Sequence, residues 1–332
     1  MNNFFEYKDC FKPLREVGVI PIFENKIDNC KYTIAIPTYR RPADLMLAIE
    51  SALNQDYLLY NVIVVDNNPD RGDETEMLVM ERFSDKRNLS YYKNMSNIGM
   101  INNWNRLFEL SNTEYVVMFH DDDYLYPNFL NVIDRIINKE GDISAINAGK
   151  EMWDGSKHSL SHSSDSMCSV KVYDYSPYSI YPFFHFGAPS GCAFRKEDMY
   201  QLGGFDDGVY PSSDYIFILK MCMAGKKILR TKDILMLYRV GVNTSAKLET
   251  DLQWIEIETE AKRQLSSILS IRPFFQRIVE YFDVKVRVRR IEKQLPGYKY
   301  ENWTRGGNLF LVFYNIYKFI CSSLIRVRRI TL

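Results

Sequence analysis

The chain has 332 residues, of which 46% are hydrophobic and 14% aromatic, enough for one large α/β domain and a smaller appended unit. Its formal net charge is zero, but residues 285–332 contain eleven Lys or Arg and two Glu, so the preceding residues are acidic overall. An acidic body argues against nucleic acid as a partner, and a basic, aromatic-rich end favours an anionic membrane surface. A solvated basic helix face is the alternative for that end.

The six cysteines lie far apart and form no C-x-x-C pair, which argues against a zinc knuckle and a dense disulfide framework. Charged residues among the first twelve interrupt any signal-peptide core. Residues 309–325 include Asn315 and Lys318 and fall short of the roughly 20 apolar residues that a membrane span needs. We therefore expect a cytoplasmic protein that lies peripherally on the inner face of the cell membrane.

Residues 1–30 are interrupted by Pro13, Gly18 and Pro21, which predicts an extension packed on the main domain. From residue 31 to 245, strands and helices are expected to alternate. The predicted strands are 32–36, 61–65, 89–92 and 115–119, and the predicted helices are 44–53, 75–83, 100–110 and 216–224. This alternation predicts an α/β fold with a doubly wound, mostly parallel sheet and helices on both faces. Ligands of such sheets bind at the carboxyl ends of the strands.

Two segments depart from this alternation. Residues 155–169 are rich in serine, which predicts a mobile loop beside the site. Residues 246–332 are predicted to form a separate helical region, with helices over 254–268 and 274–295. The cations and aromatic side chains of 284–290 and 309–329 are typical of an amphipathic, surface-binding helix. A helix docked on the main domain or on a partner would have the same composition.

Three consecutive aspartates, Asp121, Asp122 and Asp123, follow the predicted strand 115–119. Like charges this close raise one another's pKa values unless a cation neutralises them. Carboxylate oxygens suit Mg²⁺ or Mn²⁺, and such ions commonly bind one or two protein carboxylates together with substrate phosphates. The run therefore predicts a metal site for a diphosphate ligand. The alternative is a solvated loop or the N-cap of a helix that begins near Pro127, which needs only one aspartate.

Five short motifs follow one another in a fixed order between residues 31 and 245. They are Ile-Ala-Ile-Pro-Thr-Tyr-Arg-Arg at 34–41, Val-Val-Asp-Asn at 64–67, Asn-Ile-Gly at 97–99 with a later Asn, Phe-His-Asp-Asp-Asp at 119–123 with a later Pro, and Gly-Gly-Phe-Asp at 203–206 with a later Ser-Asp. This order resembles glycosyltransferase family 2, of the type that builds bacterial surface polysaccharides. The resemblance implies a GT-A fold, a nucleotide-sugar donor and a divalent metal ion.

The resemblance also implies which residues bind the nucleotide sugar. They are Pro37, Thr38, Tyr39, Arg40, Asp66, Asn97, Gly99, Asn105, Asp121 and Asp122. Asp66 is expected to accept a hydrogen bond from a pyrimidine edge such as N3–H of uracil, with Tyr39 beside the base. A helix or turn cap is the alternative for Asp66. Either Arg40 or Arg41 is suited to a phosphate, and Arg40 is preferred.

The chain departs from the family pattern in two places. Counted back from Pro127, the first carboxylate of the family's D-x-D motif falls on His120. The metal is therefore expected on Asp123 and Asp121, with His120 at the edge of the site. In addition, Ser213 stands where an acid usually precedes the catalytic base, which the resemblance assigns to Asp214. A helix N-cap is the alternative for Asp214 and is compatible with that role.

The expected function is that of an inverting, hexosyltransferase-type glycosyltransferase. Asp214 would take the proton of the acceptor hydroxyl, and the metal would stabilise the departing nucleoside diphosphate. The resemblance implies a UDP-linked donor and a polyprenyl-linked glycan acceptor of an O-antigen or capsule pathway. One alternative is a nucleotidylyltransferase, which normally has a glycine-rich loop where this chain has residues 37–41. The other is a non-catalytic module of the same fold that binds nucleotide sugars.

Overall fold

The computed structural model describes residues 3–155, 169–182, 186–240, 248–295 and 308–331. Nearly all of the Ser-rich segment for which a loop is predicted, residues 156–168, lies outside these ranges.

One mixed sheet crosses the molecule, and it contains eleven strands in the described ranges. The strands are β1 (Val19–Glu24), β2 (Tyr32–Thr38), β3 (Tyr60–Asp66), β4 (Leu89–Asn94), β5 (Tyr115–Met118), β6 (Tyr124–Leu125), β7 (Ala145–Trp153), β8 (Ser169–Asp174), β9 (Cys192–Arg195), β10 (Ile228–Arg239) and β11 (Arg326–Thr331). Ten of them are neighbours in the order β1-β4-β3-β2-β5-β9-β7-β10-β8-β11, and β6 pairs with β10.

The helices connect these strands and cover both faces of the sheet. They are α1 (Pro42–Leu53), α2 (Glu74–Phe83), α3 (Met100–Leu110), α4 (Phe129–Glu140), α5 (Pro177–Ile180), α6 (Lys196–Gln201), α7 (Ser213–Met223), α8 (Leu248–Ile268), α9 (Pro273–Gln294) and α10 (Asn308–Ser323). Because successive strand residues point to opposite faces, Ile34 and Val62 pack with residues of α1 and α4, whereas Ala35 and Ile63 pack with residues of α3 and α7.

The predicted doubly wound α/β arrangement is confirmed, and each predicted strand and helix from residue 32 to 119 has its counterpart within two residues. Strands β4, β3, β2 and β5 are parallel. Beyond β5 the sheet is mixed, because β9 pairs antiparallel with both β5 and β7. The hydrophobic pattern of a buried strand is the same in either direction, so the sequence does not predict this reversal.

Both ends of the chain add strands to the edges of the sheet. The predicted N-terminal extension contains β1, which pairs antiparallel with β4. At the other end, the helix predicted over 309–329 stops at Ser323, and β11 pairs antiparallel with β8. Arg328 of β11 binds Glu140 of the body and lies 3.7 Å from Asp174. These ion pairs give the basic segment an internal partner, so its cations do not all belong to a surface-binding helix.

The basic stretch 284–290 also differs from expectation, because its apolar side is buried inside the helical region. Val284 and Val288 of α9 pack with Ile255 of α8, and Lys285 is only 5% exposed. This stretch therefore docks on α8, and a docked helix was the alternative for this composition. Among the described residues, none of the helices is long and apolar enough to span a membrane.

The turn between α6 and α7 depends on close contact with the N-terminal segment. Gly203 has a φ of +87°, and a Cβ atom there would lie 2.0 Å from the carbonyl oxygen of Lys8. Its own carbonyl accepts a hydrogen bond from the backbone N–H of Cys10 at 2.9 Å. Gly225 has a similar φ of +70° but has open space around its Cα.

We expect Gly203→Ala to destabilise the protein by at least about 1 kcal/mol more than Gly225→Ala. Both variants place a side chain on a residue with a left-handed backbone conformation. Only Gly203→Ala also forces the backbone of Lys8 to move. Urea unfolding of the two variants measures the difference. Equal losses of stability would contradict the close contact between the turn and residue Lys8.

Candidate active site

The carboxyl ends of β2, β3 and β5 open onto a cavity of about 640 Å³. The first half of the chain lines it with Pro37, Thr38, Tyr39, Arg41, Asn67, Asn97, Gly99, Met100, Asn103, Trp104, His120, Asp121 and Asp122. The second half adds Ala188, Pro189, Tyr210, Pro211, Asp214, Tyr238, Thr250 and Trp254. A ligand site at this edge is what a doubly wound sheet predicts.

The aspartate run divides between two sets of partners. Asp121 accepts a hydrogen bond from the Thr38 hydroxyl at 2.7 Å and pairs with Arg41 at 3.1 Å. The same Arg41 nitrogen lies 3.0 Å from Asp122. Asp123 instead accepts from the Ser190 hydroxyl at 2.5 Å and from the backbone N–H of residue 239 at 2.9 Å. Asp121 is therefore bound to the end of β2 and the loop after it, and Asp123 to Ser190 and the end of β10.

A possible metal site consists of His120, Asp122 and Asp123, whose ligand atoms all lie within 4.8 Å of one another. The Nε2 atom of His120 is buried and has no hydrogen-bond partner among the described residues. Two carboxylates and one neutral imidazole are a donor set that suits a divalent ion such as Mn²⁺. The residues present therefore fit a divalent metal, and the structure groups Asp123 with Asp122 and His120, not with Asp121.

Burial controls the protonation of these groups. It lowers the pKa of His120 to about 4, which leaves the imidazole neutral and able to bind a metal at pH 7. Burial raises the pKa of Asp121 to about 6 and that of Asp123 to about 7. A bound cation would favour the ionised carboxylates, so metal binding and deprotonation support each other.

Asp66 does not line the cavity. Its carboxylate is fully buried and accepts hydrogen bonds from the Tyr91 hydroxyl at 2.8 Å and the backbone N–H of Asn68 at 2.9 Å. It also lies 3.1 Å from the ammonium group of Lys93, which is itself fully buried. The neighbouring Asn67 lines the cavity instead. The oxygens that Asp66 would offer to a base are thus occupied by the protein.

Asn67 belongs to a group of neutral amides after β3 and β4. Its Nδ2 donates to the Oδ1 atom of Asn97 at 2.8 Å, and its Oδ1 accepts from Asn94 at 3.1 Å. The backbone N–H of Gly99 also donates to Asn97 at 2.9 Å, and the φ of Gly99 is +81°. The predicted residues Asn97 and Gly99 both line the cavity.

Two further predicted residues lie outside the cavity lining. Arg40 has a φ of +53° and points to Asp70 at 3.2 Å, with 60% of its side chain exposed. Arg41, the next residue, occupies the cavity in its place. Asn105 is buried and forms two hydrogen bonds with the backbone of Phe205, at 2.8 and 2.9 Å. It therefore fixes the Gly-Gly-Phe-Asp turn.

Asp214 lies in the first turn of α7 and opens onto the cavity. The backbone N–H of Tyr215 donates to its carboxylate at 2.8 Å. Burial raises the pKa of Asp214 to about 6, and the negative charge of Glu258 on α8 adds to this effect. Glu258 pairs with Arg287 of α9 at 2.6 Å. The helical region thus supplies an acidic neighbour, although Ser213 replaces the usual acid in sequence.

Two side chains in or near the cavity could not be found from sequence motifs. Lys150 of β7 donates to the carbonyl oxygen of Ala188 at 2.5 Å, and burial lowers its pKa to about 8. Its charge acts on both Asp123 and Asp214. Trp254 comes from α8, far from every motif. Only the three-dimensional structure brings these side chains to the site.

The sequence profile of Glycosyl transferase family 2 matches residues 33–202 of this chain, about half of its length. The chain belongs to glycosyltransferase family 2. The predicted family and enzyme class are therefore confirmed, and the motifs at 34–41, 64–67 and 119–123 fall inside the matched range.

Two bacterial relatives show similarity over part of the chain. The GalNAc(5)-diNAcBac-PP-undecaprenol beta-1,3-glucosyltransferase of Campylobacter jejuni is 28% identical over 134 residues, which cover 36% of this chain and 43% of that protein. WcaA of Escherichia coli K12, a glycosyl transferase assigned to colanic acid biosynthesis, is 25% identical over 203 residues, or 58% of this chain and 67% of that protein. The chain thus spans less than half the length of the first relative.

Solved structures agree on the fold. TarS of S. aureus in complex with UDP-GlcNAc superposes with a TM-score of 0.55 at 16% identity, covering 80% of this chain and 82% of TarS. The mannosyltransferase PcManGT of Pyrobaculum calidifontis, in complex with GDP-Man and Mn²⁺, also gives 0.55 at 14% identity, covering 92% and 89%. These similarities confirm the predicted GT-A fold.

We expect His120→Ala and Asp122→Asn each to weaken Mn²⁺ binding by at least about tenfold, because each removes one ligand of the grouped site. Asp70→Asn, which removes an exposed acid outside the cavity, should leave Mn²⁺ affinity unchanged. Calorimetric titration of Mn²⁺ in the presence of UDP measures all three. Wild-type Mn²⁺ affinity in both site variants would mean that the ion binds elsewhere.

Proposed function

We propose that this chain is an inverting, metal-dependent glycosyltransferase that moves a sugar from a UDP-linked donor to a hydroxyl of a lipid-linked glycan in surface-polysaccharide synthesis. The observation that supports it most is the presence of two chemically different groups on one cavity. Asp214, in the first turn of α7, lines the cavity, and so do His120 and Asp122 of the metal-type cluster that Asp123 completes. A base and a leaving-group site are the two parts that glycosyl transfer requires.

The donor is assigned to the loops after β2, β3 and β4. Tyr39 is 42% exposed in the cavity and would flank the base. Asn67 and Asn97 offer neutral amides to the base edge, a role first assigned to Asp66. Arg41 would bind the diphosphate, because its guanidinium already pairs with Asp121 and with Asp122 of the metal-type cluster. The UDP complexes of TarS support uracil as the base, with guanine as the alternative.

The metal would be bound by Asp122, Asp123 and His120. When bound, it neutralises the charge that develops on the departing diphosphate. Lys150 adds a positive charge on the same side, since its ammonium group acts on Asp123. These groups stabilise the leaving group without taking part in proton transfer.

Asp214 performs the proton transfer in this proposal. It takes the proton of the acceptor hydroxyl as the oxygen attacks the anomeric carbon from the side opposite the diphosphate, and this single displacement inverts the configuration. A pKa of about 6 leaves Asp214 largely ionised at pH 7 and closer to the operating pH than an ordinary aspartate.

We further propose that α10 lies on the inner face of the cell membrane, where a polyprenyl-linked acceptor would be found. Its outward side chains include Phe313, Ile316 and Phe319, which are 55%, 51% and 78% exposed. On its other side, Tyr317 and Cys321 pack against the protein. An exposed apolar helix face with cations nearby is suited to an anionic lipid surface. The undecaprenol-linked substrate in the name of the C. jejuni relative supports such an acceptor.

We expect Phe319→Glu to reduce sedimentation of the protein with vesicles that contain phosphatidylglycerol, because a charge replaces an inserted aromatic ring. Phe274→Glu is the matched control, since Phe274 of α9 is 77% exposed but lies on another helix. If both variants sediment with the vesicles to the same extent as the wild type, α10 is not the membrane contact.

We expect Asp214→Asn to reduce glycosyl transfer by about 10²- to 10⁴-fold, because it removes the general base. UDP affinity in the presence of Mn²⁺ should remain within about twofold of wild type, since Asp214 is assigned no contact with the nucleotide. Transfer is measured by UDP release in the presence of acceptor extract. A large loss of UDP affinity would instead place Asp214 in the donor site.

The pH dependence of transfer tests the same group independently. The base must be ionised to accept a proton, so kcat at saturating Mn²⁺ should fall as the pH decreases through about 6. Glu258→Gln removes a negative charge that raises the pKa of Asp214, and the acid limb should therefore move to lower pH. An acid limb at the same pH in both proteins would show that another group controls it.

A further inference from the structure

We propose that Trp254 is the platform on which a sugar ring of the acceptor stacks beside Asp214, so that the reacting unit of the acceptor is a pyranose. This inference rests on the proposed function and names the chemical class of the acceptor at that site. It starts from an indole that lines the cavity although it belongs to α8, outside the family-matched residues 33–202.

The indole contacts the segment that leads to the proposed base. Its Nε1–H donates a hydrogen bond to the carbonyl oxygen of Pro211 at 3.2 Å. Pro211 precedes Asp214 by three residues, and both line the cavity together with Tyr210. A hydroxyl that gives its proton to Asp214 must lie within hydrogen-bond reach of that carboxylate. The ring that bears this hydroxyl is therefore in reach of the indole.

Two arginines of α9 fix the orientation of the indole. The guanidinium carbons of Arg287 and Arg290 lie 5.0 and 5.7 Å from the centre of the Trp254 ring. Arg287 is itself paired with Glu258, and Arg290 lies 3.4 Å from Asp251. An aromatic ring held by one hydrogen bond and two cation–π contacts loses little further freedom when a ligand binds.

The donor contacts come from other elements. The residues assigned to the base and the diphosphate follow β2, β3 and β4, whereas Trp254 and Thr250 come from consecutive turns of α8. Donor and acceptor meet at Asp214 and must therefore bind to different parts of the cavity lining. Helix α8 supplies the part of the lining that the donor does not use. The C–H groups of a pyranose face are apolar and its hydroxyls are polar, a combination that an indole beside polar groups can bind.

Saturation-transfer NMR of the full chain loaded with UDP and the diamagnetic ion Mg²⁺ tests the inference. The probes are the methyl β-glycosides of glucose, galactose and N-acetylglucosamine, each at millimolar concentration. We expect saturation of the ring protons of at least one glycoside in the wild type. The signal should fall at least about fivefold in Trp254→Ala and persist in Trp254→Phe, which keeps an aromatic face. Phe274→Ala, an exposed aromatic residue of α9, should match the wild type.

UDP affinity separates the possible failures. Unchanged UDP affinity in Trp254→Ala, together with the lost glycoside signal, supports the acceptor platform. An equal glycoside signal in wild type and Trp254→Ala, or no signal from any glycoside while UDP binds, overturns it. Lost UDP affinity in Trp254→Ala would place the indole in the donor site and also overturn it. A wild-type protein that does not bind UDP would contradict the proposed function itself.

Discussion

The burial of several carboxylates around one cavity is the constraint on which the rest of this site depends. Asp121, Asp122 and Asp123 are each at most 7% exposed, and Asp214 shares the same cavity. Removing ionised carboxylates from water is costly unless cations or hydrogen bonds compensate. The protein supplies Arg41 for two of these groups and hydroxyl or backbone donors for Asp123. A divalent ion would complete this compensation.

A second group of buried charged residues, around Lys93, has its partners within the protein. Lys93 is fully buried and lies 3.1 Å from Asp66, 2.8 Å from Asp73 and 3.7 Å from Glu76. Arg71 also pairs with Glu76 at 2.9 Å, so each of these acids has a cation of the protein as a partner. Such a self-contained group stabilises the ends of β3 and β4 and needs no ligand. In the cluster of His120, Asp122 and Asp123, Arg41 pairs with Asp122 at 3.0 Å, whereas Asp123 accepts from hydroxyl and backbone donors. The Nε2 atom of His120 has no hydrogen-bond partner among the residues that the structure describes. This contrast distinguishes the structural acids from those available to a metal.

The sequence predicts the parallel half of the sheet well because local patterns determine it. Apolar runs such as 61–65 are strands, and polar residues that follow them lie at one edge. The prediction is less exact where two neighbouring residues point in different directions and only one of them reaches the cavity. Arg40 adopts a positive φ and points to Asp70, and Arg41 enters the cavity. Asp66, the last residue of β3, likewise turns into the core, whereas Asn67, the next residue, lines the cavity.

The contributions of the C-terminal region could not be predicted because they depend on tertiary packing. Glu258 and Trp254 have no motif around them, and α8 brings both to the first turn of α7. Ser213 looked like the loss of an acidic neighbour, yet the helical region supplies that charge from a distant position. Strand β11 could not be predicted either, because its Arg and apolar residues also suit a basic amphipathic helix. Only its pairing with β8 identifies it as a strand.

In the proposed mechanism, His120, Asp122 and Asp123 bind the metal that positions a nucleoside diphosphate in the cavity. A crystal of the protein grown with UDP and Mn²⁺, with diffraction data collected at the manganese absorption edge, tests it directly. We expect one strong anomalous peak in contact with these three side chains and with the diphosphate oxygens. A manganese peak at any other position, or UDP bound in the cavity without manganese at this cluster, would contradict it.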